Sequence, residues 1–326
     1  MNKLYPLKFR PIYKDKIWGG QKIKTLLGQN VGNIPNCGEA WLLSGVDGSQ
    51  TEVENGYLAG NDLNELIEVY MDDLVGGKVY DRFGEVFPIL VKVLDTNDWL
   101  SVQVHPDDEM AMERHHSLGK TEMWYIMDTD PGSELICGFN QKMDKDKYVN
   151  ALIDKKIPEI MNREVVEKGD VFFIPAGRVH ALGPGMLLAE IQETSDVTYR
   201  IYDWDRIDQA GEFRELHTEL AIDAIDFEQQ DAYKTHYKEK DNETAELVSC
   251  EHFTTNIIHL TKPVEKDYEE LDSFVIYTCT EGAFRLECDD DIVEVKAGEA
   301  VLIPATTFKV NLYPYKETRL LEVYIL

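Results

Sequence analysis

Cysteine pairs, long apolar runs and positive charge are what this 326-residue sequence is short of. Its five cysteines (Cys37, Cys137, Cys250, Cys279 and Cys288) are odd in number and scattered, with no CxxC pair. That favours reduced thiols in a cytosol. No run approaches the roughly 20 apolar residues that span a bilayer. The opening residues, MNKLYPLKFRPIY, hold no apolar core of a signal peptide, so a soluble, cytoplasmic protein with no membrane partner is expected. Lys and Arg number 33 against 61 Asp and Glu, a net charge of −28. Such a surface repels phosphate backbones and excludes nucleic acid and anionic lipid as partners. A small phosphorylated ligand would need a local cluster of Lys or Arg inside a pocket to overcome that field.

What is present is ordinary globular composition, 43% hydrophobic and 29% charged, on a chain long enough for two domains or one elaborated one. "NDLNELIEVYMDDLVG" (61–76) reads as an amphipathic helix, with Leu63, Leu66, Ile67 and Tyr70 at helical spacing behind an Asn/Asp start. "FPILVKVLD" (87–95) is a β-rich run, and "WLSVQVHPDD" (99–108) alternates with period two, placing Ser101, Gln103 and His105 on one face. The polar stretch DDEMAMERHHSLG reads as a helix, TEMWYIMDT and ELICGFN as strands, and DKDKYVNALIDKKIPEIMN as a further helix. Beyond about residue 240 the chain is strand-like throughout, and "ELHTELAIDAIDFEQQ" between the two β-rich parts reads as a helix.

One internal repeat is visible at an offset of 129. "KGDVFFIPAGRVH" (168–180) aligns with "AGEAVLIPATTFK" (297–309), matching Gly169 with Gly298, Ile174 with Ile303 and Pro175 with Pro304, while His180 falls opposite Lys309. Two copies of one β-unit with a histidine only in the first imply a site in the first and a structural role for the second.

A transition-metal site needs three or four N, O or S ligands converging on a point. The chain offers Gln103-x-His105, then Glu122 seventeen residues after His105, then His180. Gly169 and Gly177 permit the sharp turns that aim His180 inward. Taken singly, a strand-end histidine or a strand-end glutamate has an ordinary structural explanation; the combination is what points to a metal. Gly169, Pro175, Gly177 and His180 have the spacing of the second cupin motif. Gln103-x-His105 followed by Glu122 resembles the first motif, with its first histidine replaced by glutamine and a much longer segment before the glutamate. "SVQVHPDD", "GKTEMW", "PAGRVHAL" and "EIQETSDVTYRIYDW", with the N-terminal "IWGG" and "CGEAW", resemble type I mannose-6-phosphate isomerases in their shorter bacterial form.

The resemblance implies a mainly β fold of two cupin (jelly-roll type) barrel units with a small helical insertion: a metal-bearing catalytic domain over 1–205, a helical connector over 206–240 and a metal-free cupin-like domain over 241–326. It also implies one Zn²⁺ per chain on Gln103, His105, Glu122 and His180, with Arg200 of the "TYR" motif at the active-site position. Lys120 in "GKTE" is a candidate base or phosphate contact. Lys92, an unusual charge in an apolar run, is either a pocket phosphate contact or an edge-strand lysine. Lys92, Lys120 and Arg200 would supply the required positive cluster, with Ser101 adding a hydroxyl; the alternative for Arg200 is a salt bridge to Asp196, Asp203 or Asp205. The expected activity is interconversion of mannose 6-phosphate and fructose 6-phosphate by a monomer or homodimer acting on a small sugar phosphate. The alternatives are another metal-dependent cupin such as an oxygenase, which needs a redox-active metal, and a sugar-phosphate-sensing cupin without turnover.

Overall fold

The computed structural model describes residues 3–207 and 211–326. Its strands form four antiparallel sheets, which stack as two sandwiches. In the first sandwich a six-stranded sheet runs in the spatial order Ile12–Gly20, Cys37–Leu43, Ile89–Thr96, Met186–Glu193, Glu122–Thr129, Val171–Ile174. It faces a five-stranded sheet of Tyr199–Tyr202, Val102–Val104, His180–Leu182, Glu134–Phe139 and Met161–Val165. Alternation along each strand sorts side chains between two faces. Leu94, Trp124, Ile126 and Leu188 point between these sheets to meet Leu135, Cys137 and Leu182. Their neighbours Val93, Tyr125, Met127 and Ala189 point the other way, into a second core shared with Ile257, Ile276, Leu302 and Leu321 of the C-terminal sandwich. The two sandwiches are therefore joined through a continuous apolar layer, and the N-terminal strand Leu7–Lys8 pairs with Ala300–Ile303 of the C-terminal sheet.

Helices follow the same logic. Leu63–Val75 forms where the periodicity places it, with a capping box between Asp62 and Glu65 satisfying the first free amides and a kink at Met71, whose φ of 45° breaks the helix that the pattern reads as continuous; Leu63, Leu66, Ile67 and Tyr70 are all buried. Tyr148 and Ala151 of the helix Lys145–Ile153, Ile157 and Ile160 of the helix Ile157–Ile160, and Ala221 of the helix Thr218–Ala224 cover the outer face of the five-stranded sheet, against Val102, Val104 and Ala181. The helix expected across 215–230 is thus confined to seven residues. It stops because Ile225 turns extended and the Asp226 amide donates to Gly177 O at 2.9 Å, which ties the chain to the turn before His180. The period-two run at 99–108 likewise pairs as a strand only over Val102–Val104. Among the described residues no helix is long and apolar enough to cross a membrane, and the five cysteines are all unpaired thiols.

The 129-residue repeat is a structural repeat. Val171–Ile174 and Ala300–Ile303 are matching strands, and Gly169 and Gly298 precede them at φ 91° and 82°, in the left-handed region open to glycine. Following the registers outward, Ile174 pairs with Glu122 where Ile303 pairs with Val275, and His180 pairs with Gln103 where Lys309 pairs with Asp267. The second unit therefore carries Val275, Asp267 and Lys309 at the places of Glu122, Gln103 and His180. A lysine ammonium has no lone pair to offer a cation.

Candidate active site

Three residues that lie far apart in sequence meet between the two sheets of the first sandwich. His180 comes from the five-stranded sheet, His105 directly follows its strand Val102–Val104, Glu122 comes from the facing sheet, and each is at most 1% exposed. Glu122 Oε2 lies 3.6 Å from His105 Nε2, and Glu122 Oε1 lies 3.4 Å from His180 Nε2. The Nδ1 atoms of the histidines face backbone carbonyls, Val197 O at 2.9 Å and Arg178 O at 2.8 Å. A carbonyl only accepts, so both Nδ1 atoms carry the proton and both Nε2 lone pairs are turned toward Glu122. Burial holds His105 well below the ordinary histidine range and His180 down at about 3, so both rings are neutral at physiological pH, the state in which imidazole is a ligand. Gln103 stands beside the trio with its carboxamide nitrogen 3.2 Å from His180 Nε2, while its oxygen, the only atom of that amide able to ligate, faces Ser101 Oγ at 3.5 Å.

The donor set fits a transition metal. The ligand atoms of His105, Glu122 and His180 lie within 4.8 Å of one another, and buried Glu122 Oε1 has no hydrogen-bond partner. Burial pushes Glu122 up to about 7, against the opposing pull of Lys120. With Oε2 paired to Lys120 and Oε1 without a partner, Glu122 keeps one oxygen for a cation, and two imidazoles, a carboxylate and an amide suit zinc.

The turn that delivers His180 is built for the purpose. Gly177 sits at φ 86°, its amide donates to His105 O at 2.9 Å, and an added Cβ would come within 3.0 Å of Ala224 O. One glycine thus locks the two histidine-bearing segments together.

Beside this cluster opens a cleft of about 380 Å³ whose lining includes Ser101, Gln103, Lys92, Lys120 and Arg200. The structure brings all of these sequence candidates together. Lys92 is not an edge-strand lysine: its strand lies inside the sheet, and its ammonium is buried 3.0 Å from Glu190 Oε1 and 2.5 Å from Gln192 Oε1. Burial alone would raise Glu190, but Lys92 and Lys120 bring it down to about 2. Lys120 donates to Glu122 Oε2 and lies 3.1 Å from His105 Nε2. Burial works against its charge, yet Glu122 and Glu190 outweigh it and raise its pKa, opposite to the shift toward neutrality expected of a base. Ser101 Oγ reaches Gln103 Oε1 at 3.5 Å. Arg200 sits in register with Gln103 on the neighbouring strand and donates from Nη1 to Glu215 O at 2.7 Å. Among the described residues it pairs with none of Asp196, Asp203 and Asp205; Asp203 is held by Arg206 and Arg214.

Sequence reasoning does not single out Lys14, Lys16, Glu39, Trp41 and Glu190, which also line the cleft. They form the wall opposite Arg200. The signal was available in "YKDKIW", where Lys14, Lys16 and Trp18 alternate on one strand face, and in "LLAEI", where a lone carboxylate interrupts an apolar run as Lys92 does.

Comparison with known proteins agrees with this geometry. Residues 6–137 match the model of the type I phosphomannose isomerase catalytic domain, and residues 243–321 match that of the mannose-6-phosphate isomerase cupin domain. The chain is 35% identical to mannose-6-phosphate isomerase ManA of Bacillus subtilis, over 96% of this chain and 97% of that one. It is 32% identical to the mannose-6-phosphate isomerase of Streptococcus mutans, over 92% and 93%. The crystal structure of the mannose 6-phosphate isomerase from Bacillus subtilis superposes with a TM-score of 0.87 at 31% identity, covering 98% of this chain and 99% of that one. With two matching domains, full-length relatives and a shared architecture, the chain belongs to the type I phosphomannose isomerase family.

Proposed function

We propose that this protein interconverts mannose 6-phosphate and fructose 6-phosphate through a cis-enediol, using one zinc ion per chain held by Gln103, His105, Glu122 and His180. The observation that carries the reading is the buried trio of His105, Glu122 and His180, with both Nε2 lone pairs turned to a carboxylate that keeps one oxygen unpartnered, at the edge of a cation-lined cleft. When bound, zinc supplies Lewis-acid stabilisation of the negative charge that develops on the sugar oxygens, and it has no redox chemistry to divert the reaction.

The chain's own residues do the rest. The reaction removes a proton from C2 and returns one to C1, with the hydroxyl proton redistributed between O1 and O2. Arg200 stays charged throughout and faces the cleft beside Gln103, where a guanidinium serves as an electrostatic clamp for an enediolate oxygen. Lys120, kept protonated by Glu122 and next to His105, is proposed to give a proton to the enediolate rather than to abstract one. The Lys92–Glu190 pair and Ser101 order the polar floor on which the sugar hydroxyls lie.

The test is conversion of mannose 6-phosphate to fructose 6-phosphate before and after chelation, with elemental analysis of the purified protein. Activity lost on chelation and restored by zinc is the expected result. Absence of turnover with any divalent metal would leave a sugar-phosphate sensor. Oxygen uptake with bound iron would make the protein an oxygenase.

A further inference from the structure

Six cationic side chains line the cleft, and four of them are already neutralised. Lys16 lies 3.0 Å from Glu39, Lys92 lies 3.0 Å from Glu190, Lys120 is paired with Glu122, and Arg214 with Asp203. Among the described residues the two cleft cations with no ion pair are Lys14 and Arg200. Asp196, the lining carboxylate without a cation of its own, is exposed at the rim.

Lys14 is held in an unusual way. Its Nζ sits 3.5 Å from the centre of the Trp41 ring and 3.1 Å from Ser49 Oγ. Glu39, which pairs with it in register, is occupied by Lys16 and by Trp41 Nε1 at 2.7 Å. An ammonium held over an indole face by cation–π attraction and one neutral hydroxyl keeps donor capacity for an anion. Its position suits one end of an open-chain hexose 6-phosphate. Lys14 lines the same cleft as Gln103 and Lys120, which stand next to the metal-ligand cluster, and the phosphate lies at the opposite end of the substrate from the C1–C2 pair.

From this we infer that Lys14, seated on Trp41, is the phosphate anchor of the cleft and sets its preference for phosphorylated over free sugars. Resting on the isomerase reading above, this assigns the phosphate to Lys14 rather than to Lys92 or Lys120, whose charges are spent on Glu190 and Glu122. It leaves Arg200, next to Gln103, for the oxygens at the reacting end.

The experiment compares wild type with Lys14→Met and Lys14→Arg in the zinc-loaded protein. Methionine keeps an unbranched stem over Trp41 and removes the charge; arginine keeps the charge. Loss of a charge-assisted contact to phosphate should raise KM for mannose 6-phosphate and the inhibition constant of inorganic phosphate together, by about 10- to 100-fold, with kcat within about threefold. Zinc content and melting temperature should stay at wild-type values, and Lys14→Arg should recover most of the affinity. A folded, zinc-replete Lys14→Met protein with unchanged KM and unchanged phosphate inhibition would overturn the assignment, as would a fall in kcat alone. If Lys14→Met does not fold, Lys14→Gln is read in the same way. Calorimetric binding of inorganic phosphate to wild type and variant separates the two readings: a wild type without turnover overturns the isomerase reading, whereas phosphate affinity equal in wild type and variant overturns the role of Lys14.

Discussion

Replacing Lys92 by methionine should leave Glu190 as a charge without its principal partner in the interior. The two side chains are 7% and 6% exposed, so solvent cannot take over the role of the ammonium. Glu190 falls from the ordinary 4.5 to about 2 in the folded chain, which corresponds to about 3 kcal/mol in favour of its charged form at neutral pH. Removing one member of a buried pair typically costs about 3–5 kcal/mol; the lower end is expected here, because Lys120 and Trp124 Nε1, the latter at 3.0 Å, still face Glu190. The sign follows from the depressed pKa. The stabilisation is fully present above the unfolded value of 4.5 and is lost as pH falls through about 2. The penalty of Lys92→Met should therefore be largest near pH 7 and shrink below pH 4.5, where Glu190 in the variant takes up a proton. The assay is urea unfolding of wild type, Lys92→Met, Glu190→Gln and the double variant at pH 7 and pH 4. The double variant, with no charge left unpaired, should be more stable than Lys92→Met. A Lys92→Met protein within about 1 kcal/mol of wild type at pH 7, or a double variant no more stable than the single one, would refute the reasoning.

Two further outcomes test the site itself. His180→Ala should lose the metal, because it removes one of two imidazole ligands from a closed cluster, whereas Lys309→Ala at the equivalent place in the second unit should keep metal and activity near wild type. Elemental analysis checks both, and full metal stoichiometry in the His180 variant would overturn the ligand assignment. Arg200→Ala should retain the metal but lower kcat by about 100-fold or more, the scale seen when one oxyanion-stabilising donor is removed; an unchanged kcat would return Arg200 to a structural role.

Much of this site was legible before any coordinates because its chemistry is written in short-range patterns. Gln103 and His105 share a face through strand alternation, and Gly169, Pro175, Gly177 and His180 mark one turn by spacing. The 129-residue repeat, with Lys309 opposite His180, carried the inference of one metal-bearing and one metal-free unit. Lys92 stands out as a charge in an apolar run, but a lone lysine there reads alike in an edge strand and in a buried pair. Its partner Glu190 is 98 residues away.

By itself, the sequence determined which segments favour strand or helix, which faces are apolar, and which residue types are available as ligands, since these follow from backbone periodicity and side-chain chemistry within a few residues; tertiary contacts set where elements such as Thr218–Ala224 end. Only the tertiary structure decided which charges are spent and which are free. Six cations meet in one cleft, four are neutralised by carboxylates, two of these on neighbouring strands, and Lys14 and Arg200 are left without an ion pair. The physical reason is that Coulomb interactions and desolvation depend on distance through space and on burial, and neither is encoded in separation along the chain.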